Sequence, residues 1–136
     1  MGAGLDALAR TLVMVQNTGC RRVGLLPAVE KAFRSRSVEE RYRKRLERHF
    51  RNYGIPGTTM PQEHFKSEGR FPTGGKPSRN VHVFVFKAYQ CRIYGVTVPL
   101  TGIETFVGME IVNKKEDDAD QALLLRIARN SRPYWE

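Results

Sequence analysis

The sequence predicts an α+β domain in which helices pack on a mostly antiparallel β-sheet. Residues 81–86 and 91–98 are β-branched and aromatic segments with period-two alternation, and the polar stretch 87–90 between them predicts a β-hairpin. Residues 37–53 carry apolar side chains at helical spacing, and a second helical pattern lies near the end of the chain. These segments predict one or two N-terminal helices, a sheet around a central hairpin and a C-terminal helix.

Size and composition are those of a single globular domain spanning residues 1–136. Of the 136 residues, 40% are hydrophobic and 27% charged. No apolar run approaches the roughly 20 residues that cross a bilayer, and the N-terminus lacks the basic start of a signal peptide. Cys91 lies in a predicted core strand, where a cysteine is often a small buried hydrophobic residue, so a disulfide with Cys20 is not expected. No Cys or His pair has the spacing of zinc ligands, and we expect a cytoplasmic protein without metal or cofactor.

Charge is the most informative property of the composition. Twenty-three Lys and Arg against fourteen Asp and Glu give a net charge of +9. Such a field attracts polyanions, so nucleic acid is the leading class of partner, followed by an acidic protein or an anionic membrane surface. A basic protein without any polyanionic partner is the alternative.

Residues 1–35 leave two interpretations open. Leu5, Leu8, Leu12 and Val15 fit helical spacing, whereas residues 11–15 also fit a short strand. Glycines and a proline then interrupt the pattern before a possible helical turn over residues 28–33.

Residues 37–53 predict an amphipathic helix. Ser37 is expected to cap it in a capping box with Glu40, and Gly54 and Pro56 are expected to end it. The positions predicted to face the sheet are Val38, Tyr42, Leu46, Phe50 and Tyr53. The positions that share one basic flank are Arg41, Lys44, Arg45, Arg48 and Arg51. This flank is either an ordinary solvated helix face or a surface that follows phosphates.

Residues 55–80 are rich in proline and glycine and predict mostly loop, with residues 64–67 as the only strand fragment. The basic stretch that contains Arg70 and Lys76 is suited to lie along a nucleic-acid backbone. After the hairpin, residues 105–112 predict a third strand. Asp117 or Asp118 is expected to cap the last helix, whose predicted inner positions are Ala119, Leu123, Leu124 and Ile127.

No sequence motif of a hydrolase, metalloprotease or dinucleotide-binding enzyme is present, so the candidate chemistry rests on basic and aromatic residues. RNA cleavage by 2′-hydroxyl attack needs a base, an acid and cations around the phosphate. Arg92, Lys87, His64 and His82 are candidates for these roles, with Tyr94 or Tyr89 stacking on a base. His82 is more simply a core histidine, and Lys87 and Tyr89 are also ordinary turn residues. Arg92 stands out because a charge on an inner strand is costly unless it is paired or faces a cleft.

The stretch Phe-Lys-Ala-Tyr-Gln-Cys-Arg-Ile-Tyr-Gly, residues 86–95, resembles the central hairpin of the RelE/ParE toxin superfamily, especially its phage-associated HigB-like branch. The order of elements over 37–131 is also similar: a charged helix, a Phe-Lys segment, the hairpin, a Phe-Val-Gly strand and a Lys-Lys pair before the last helix. Members of that superfamily are mostly small basic endoribonucleases that cut messenger RNA, often on the ribosome, and are neutralised by an antitoxin protein, while others act on gyrase.

The resemblance implies particular site residues. Arg92 corresponds to the hairpin arginine of the ribonucleases, Lys114 or Lys115 to their basic residue after the last strand, and Tyr134 to their C-terminal aromatic residue. Val83 and Val85 stand where some ribonucleases have lysines, so Lys66 or Lys87 would have to replace them.

Two functions are therefore compatible with the sequence. The first is an RNA-cleaving toxin of a toxin–antitoxin or phage system. The second is a non-catalytic, phage-encoded basic protein that uses the helix flank to occupy a nucleic-acid channel or to dock on a host nucleoprotein or defence complex. A basic structural protein of a phage or ribosome is a weaker third possibility.

Overall fold

The structure is a computed structural model that describes residues 7–113 and 120–135. It has the predicted α+β fold. Residues 7–10 are helical. The strands are β1 (Val13–Gln16), β2 (Arg21–Leu25), β3 (Phe65–Pro72), β4 (Asn80–Ala88), β5 (Cys91–Leu100) and β6 (Ile103–Asn113). The helices are α1 (Pro27–Phe33), α2 (Glu40–Gly54) and α3 (Gln121–Asn130), and a 3₁₀ turn follows at Arg132–Tyr134.

The strands form one sheet in the order β1-β2-β6-β5-β4-β3. All neighbours pair antiparallel except β2 and β6, which are parallel. Helices cover both faces. One apolar cluster joins the sheet to α3, and a second joins it to α1 and α2. We call these the α3 face and the α2 face of the sheet.

The N-terminal segment is part of this sheet. Each of its two interpretations is confirmed in part, because residues 7–10 are helical whereas the strand begins at Val13. The sequence did not predict β2, because its two arginines and Gly24 obscure the alternation. The loop between β1 and β2 lies against the end of α2, where the backbone nitrogen of Cys20 donates to the Gly54 carbonyl at 2.9 Å. A Cβ on Gly19, which has φ +80°, would collide with that carbonyl oxygen. This contact holds the first hairpin against the second helix.

Helix α2 confirms the predicted inner face, but the predicted cap is wrong. Tyr42, Leu46, Phe50 and Tyr53 are buried, as is Val38 just before the helix. The helix begins at Glu40 with Glu39 as its N-cap, and no side chain caps it. The Ser37 hydroxyl instead lies 2.6 Å from the Ser35 hydroxyl, because residues 35–38 form a turn in which Val38 donates to the Ser35 carbonyl.

The loop predicted over residues 55–80 is partly wrong, since Phe65–Pro72 form an eight-residue strand. Local composition suggested a loop because Gly69 and Pro72 usually interrupt strands. Here β3 is an edge strand, its pairing with β4 shifts between Ser67 and Gly69, and Pro72 is its last residue. A bulge with Gly69 at φ +108° and a terminal proline are both tolerated at an edge.

The central hairpin is confirmed, and its turn is reduced to Tyr89 and Gln90. The predicted alternation is also confirmed, because Val81, Val83 and Val85 pack on the α3 face whereas Phe86 packs on the α2 face. Strand β6 is longer than predicted. No helix within the described ranges is long and apolar enough to cross a membrane.

Helix α3 confirms the buried positions Leu123, Leu124 and Ile127. Its N-cap is Asp120, whose carboxylate accepts from the Ala122 backbone nitrogen at 3.0 Å. The expectation that Asp117 or Asp118 caps this helix is therefore wrong. Those two residues and Ala119 lie outside the described residues. Both cysteines are free thiols, and burial raises the pKa of Cys91 to about 11.

Candidate nucleic-acid interface

Tyr89 stands at the tip of the central hairpin, against the N-terminal half of α2. Its backbone has φ +57°, as the tight turn requires. One side of its ring stacks on Tyr42, with centroids 5.0 Å apart and planes at 29°. The residue is nevertheless 51% exposed. Packing on Tyr42 therefore holds the aromatic ring in a defined position while leaving it accessible to solvent.

Two arginines of α2 lie against this ring. The guanidinium carbons of Arg41 and Arg45 are 5.0 and 5.5 Å from the Tyr89 centroid. Arg45 Nη2 also donates to the Tyr89 hydroxyl oxygen at 3.1 Å, which lowers the pKa of that phenol. Cation–π contacts of this kind orient a guanidinium without neutralising it. We call Arg41, Arg45 and Tyr89 the arginine–tyrosine surface.

The rest of the predicted basic flank extends this surface along α2, with Lys44, Arg48 and Arg51 all exposed. Arg41 and Lys44 form ion pairs with Glu39 and Glu40 at 3.5 Å, but all four side chains are more than half exposed. Exposed pairs of this type contribute about 0–1 kcal/mol, so an incoming phosphate can displace them.

Arg43 differs from the residues of the flank. It donates to the backbone carbonyls of Phe33, Ser35 and Val38, and so fixes the connection between α1 and α2.

Next to the arginine–tyrosine surface lies a pocket of about 230 Å³ that contains a pair of stacked histidines. The rings of His49 in α2 and His64 before β3 are 4.0 Å apart, with planes at 17°. Arg45, Glu63 and Lys87 also line the pocket, and Lys87 borders it through its main chain, since its backbone nitrogen donates to the His64 carbonyl at 2.9 Å. Burial, followed by the charges of His64 and Arg45, lowers the pKa of His49 to about 4. The sequence analysis missed His49, which lies between Leu46 and Phe50 at the margin of the apolar face.

His49 is expected to make folding stability depend on pH. Because its pKa falls from 6.5 to about 4 on folding, the unfolded chain binds the proton more tightly, and stability falls as pH decreases from about 6.5 to 4. The loss from His49 is about 2 kcal/mol between pH 7 and pH 5. Urea unfolding at both pH values should show that His49→Gln abolishes this part of the loss. An unchanged difference between the two pH values in the variant would contradict the assignment.

The predicted catalytic residues divide between two places. Strand register brings four of them to the α3 face. Lys66 and Tyr94 both pair with Val85, which packs on that face. Lys87 lies two residues after Val85, and therefore on the same side of the sheet, and it pairs with Arg92. Arg92 is only 5% exposed and Tyr94 is fully buried. Burial raises the pKa of Tyr94, and the nearby Arg92 guanidinium acts in the opposite direction. Lys66 lies 3.8 Å from the Glu68 carboxylate.

His64 is not part of this group, since its ring stacks on His49 of α2. His82 is half-buried, with its ring 4.9 Å from the Phe84 ring. The described residues contain no group of three or more His, Cys, Asp or Glu side chains placed to hold a metal ion.

The remaining predicted binding residues lie away from α2. Arg70 is exposed on edge strand β3, opposite His82 of β4. Lys76 lines a small pocket with Arg79 and Trp135, in which the Arg79 guanidinium lies 5.3 Å from the Trp135 ring. Tyr134 is only 5% exposed and belongs to the core on the α3 face, so its ring is not presented to a nucleic acid. Lys114 and Lys115 lie outside the described residues.

Comparison with known proteins gives no match to a protein-family model, to a curated protein or to a solved structure.

Proposed function

We propose that this protein binds RNA in the cytoplasm through the basic flank of α2 and the tip of the central hairpin. The observation that carries the proposal is the arginine–tyrosine surface, in which two guanidiniums lie against an exposed ring. Guanidiniums bind backbone phosphates, and an aromatic face stacks on bases without regard to sequence. The arrangement therefore suits single-stranded RNA.

The position of the cations supports this function. Arg41, Lys44, Arg45, Arg48 and Arg51 project from one exposed side of a single helix. The exposed ion pairs of Arg41 and Lys44 are easily displaced, whereas Arg43 is held by backbone carbonyls and keeps the helix in place.

A protein that binds RNA in this way needs no catalytic chemistry of its own. It can act by occupying the nucleic-acid channel of a host nucleoprotein or defence complex, as a phage-encoded inhibitor would.

Titration of a fluorescently labelled single-stranded RNA at several salt concentrations tests this proposal. Each phosphate contact should contribute about −0.7 to the slope of log K against log salt. Three to five contacts predict a slope of about −2 to −3.5. Failure to bind at low salt, or binding that does not respond to salt, would contradict the proposal.

A second candidate, an RNA-cleaving toxin with a RelE-like fold, is favoured by the grouping of Lys66, Lys87, Arg92 and Tyr94 on the α3 face. In this reaction the 2′-oxygen loses its proton to a base and attacks phosphorus, and the bond to the 5′-oxygen breaks as that oxygen gains a proton. Arg92 and Lys87 would neutralise the phosphate. This candidate ranks second because Arg92 and Tyr94 are buried and do not present their polar groups at the surface.

Arg92→Ala separates the two candidates. If the protein is a toxin, expression of the wild-type chain without an antitoxin should arrest growth and degrade transcripts, and Arg92→Ala should relieve both effects. If the protein only binds, ribosome-associated RNA should stay intact, and the purified variant should retain RNA affinity, since Arg92 is not part of the α2 flank. Growth arrest that persists in a stably folded Arg92→Ala variant would contradict a catalytic role for this arginine.

A further inference from the structure

A further cavity, of about 330 Å³, lies at the other end of the hairpin strands from Tyr89. It opens between the helical residues 7–10, strand β1 and the turn that joins β5 to β6. Strand β5 runs from the hairpin tip at Cys91 to Leu100 beside the cavity. Ten residues of strand span about 33 Å. The cavity is therefore separate from the proposed RNA-binding surface.

The cavity combines apolar walls with two arginines. Met14 and Leu100 contribute apolar side chains, and Arg10 and Arg22 contribute guanidiniums. Thr101 and Thr105 also line it, but their hydroxyls donate to the carbonyls of Leu100 and Ile103 at 2.7 and 2.9 Å. The side-chain donors left for a ligand are thus the two guanidiniums, which carry the charge, and the uncharged amide of Asn17, which also lines the cavity. A volume of this size lies at the lower end of the range for small-molecule sites, about 300–1,000 Å³.

Arg22 is the informative residue. It is half-buried, and its Nε atom is fully shielded from solvent without a hydrogen-bond acceptor in the described part of the chain. Its neighbour Arg21 donates to the carbonyls of Tyr53 and Thr58 at 2.7 and 3.2 Å and lies 4.2 Å from the Tyr53 ring. Adjacent residues of a strand point to opposite faces. The hydrogen-bond donors of Arg21 are therefore used within the fold, whereas Arg22 faces the cavity.

The shielded Nε atom has lost hydration without gaining an acceptor among the described residues, which costs free energy. A guanidinium offers a planar set of donors that matches carboxylate or phosphate oxygens two at a time. Arg10, exposed at the rim, adds a second positive charge. From these features we propose that the cavity binds a small organic anion, with its carboxylate or phosphate on Arg22 and Arg10 and its apolar body against Met14 and Leu100.

The probes for this test are benzoate and phenyl phosphate, with benzamide as the uncharged analogue and inorganic phosphate as the head group alone. Calorimetric titration of the full chain should show binding of at least one aromatic anion, weaker binding of inorganic phosphate and none of benzamide. The aromatic anion that binds more tightly shows whether the site prefers a carboxylate or a phosphate. Amide NMR shifts should concentrate at Met14, Leu100 and Thr101. Absence of binding by both aromatic anions, or equal binding of benzamide, would overturn the proposal.

Variants test the role assigned to each arginine. Arg22→Gln should lower the affinity for the tighter-binding anion at least tenfold, and Arg10→Gln, at the exposed rim, should lower it several-fold. Arg129→Ala on α3 should bind this anion with the wild-type affinity. Because Arg22→Gln removes a half-buried charge whose Nε has no acceptor among the described residues, the melting temperature of the ligand-free variant should equal or exceed that of the wild type. Should Arg22→Gln prove unstable, Arg10→Gln still decides the matter, since unchanged anion affinity in that variant would overturn the paired-arginine site.

Discussion

Phe86→Ala is expected to remove about 3–5 kcal/mol from the free energy of unfolding. Phe86 is fully buried where α2 packs on the sheet. Its ring meets those of Phe50 and Phe106 edge-on at 5.0 and 4.8 Å, and lies 4.6 Å from Phe65. Alanine would leave a cavity lined by these rings, and each edge-to-face contact would be lost as well. Domains of this kind are stable by only about 5–15 kcal/mol, so the variant should be close to unfolding.

Urea unfolding followed by circular dichroism measures this loss. Phe86→Leu should cost less, because leucine refills most of the volume. Tyr89→Ala is the matched control three residues further along the hairpin. It removes a ring that is 51% exposed and stacks on Tyr42, so it should cost less than Phe86→Ala, about 0.5–1.5 kcal/mol. Equal losses for Phe86→Ala and Tyr89→Ala would contradict the assignment of Phe86 to the centre of this core.

The predicted parts of the fold are those with a local periodic signal. The hairpin alternation and the inner faces of α2 and α3 depend only on residue spacing, and their buried positions follow from it. Strand β2 has no such signal, because its place beside β6 depends on a parallel pairing with residues about eighty positions away. Strand β3 was hidden by glycine and proline, which its position at the sheet edge tolerates.

The candidate interface was predictable in part for the same reason. Helical spacing places the arginines of the flank together and leaves out Arg43, which the structure uses to join α1 and α2. Spacing alone does not bring Tyr89 to Arg45, 44 positions away in sequence, because that contact requires the hairpin to dock against α2. The pairing of His49 with His64 likewise depends on the fold. Sequence analysis therefore predicted the charges of the surface and named Tyr89 as one candidate for stacking on a base, but it did not place that ring against Arg41 and Arg45.

The double variant Arg41→Ala/Arg45→Ala is expected to weaken RNA binding at least tenfold at low salt. The two lost phosphate contacts should make the slope of log K against log salt shallower by about 1.4. Lys31→Ala/Arg129→Ala is the matched control, since it removes the same charge from exposed positions on α1 and α3. If net charge alone attracts RNA, both double variants should lose the same affinity. Equal losses would contradict a defined binding surface.

Tyr89→Ala separates stacking from charge at the same surface. Loss of base stacking should weaken binding by about 1–3 kcal/mol, while the salt slope stays near the wild-type value because no cation is removed. Tyr89→Phe should keep most of the affinity, since the ring remains stacked on Tyr42 and only the hydrogen bond from Arg45 is lost. If Tyr89→Ala binds as tightly as wild type, RNA contacts only the arginines, and the proposed stacking on the hairpin tip is wrong. Affinity measured at several salt concentrations therefore assigns the phosphate contacts and the base contact to different residues.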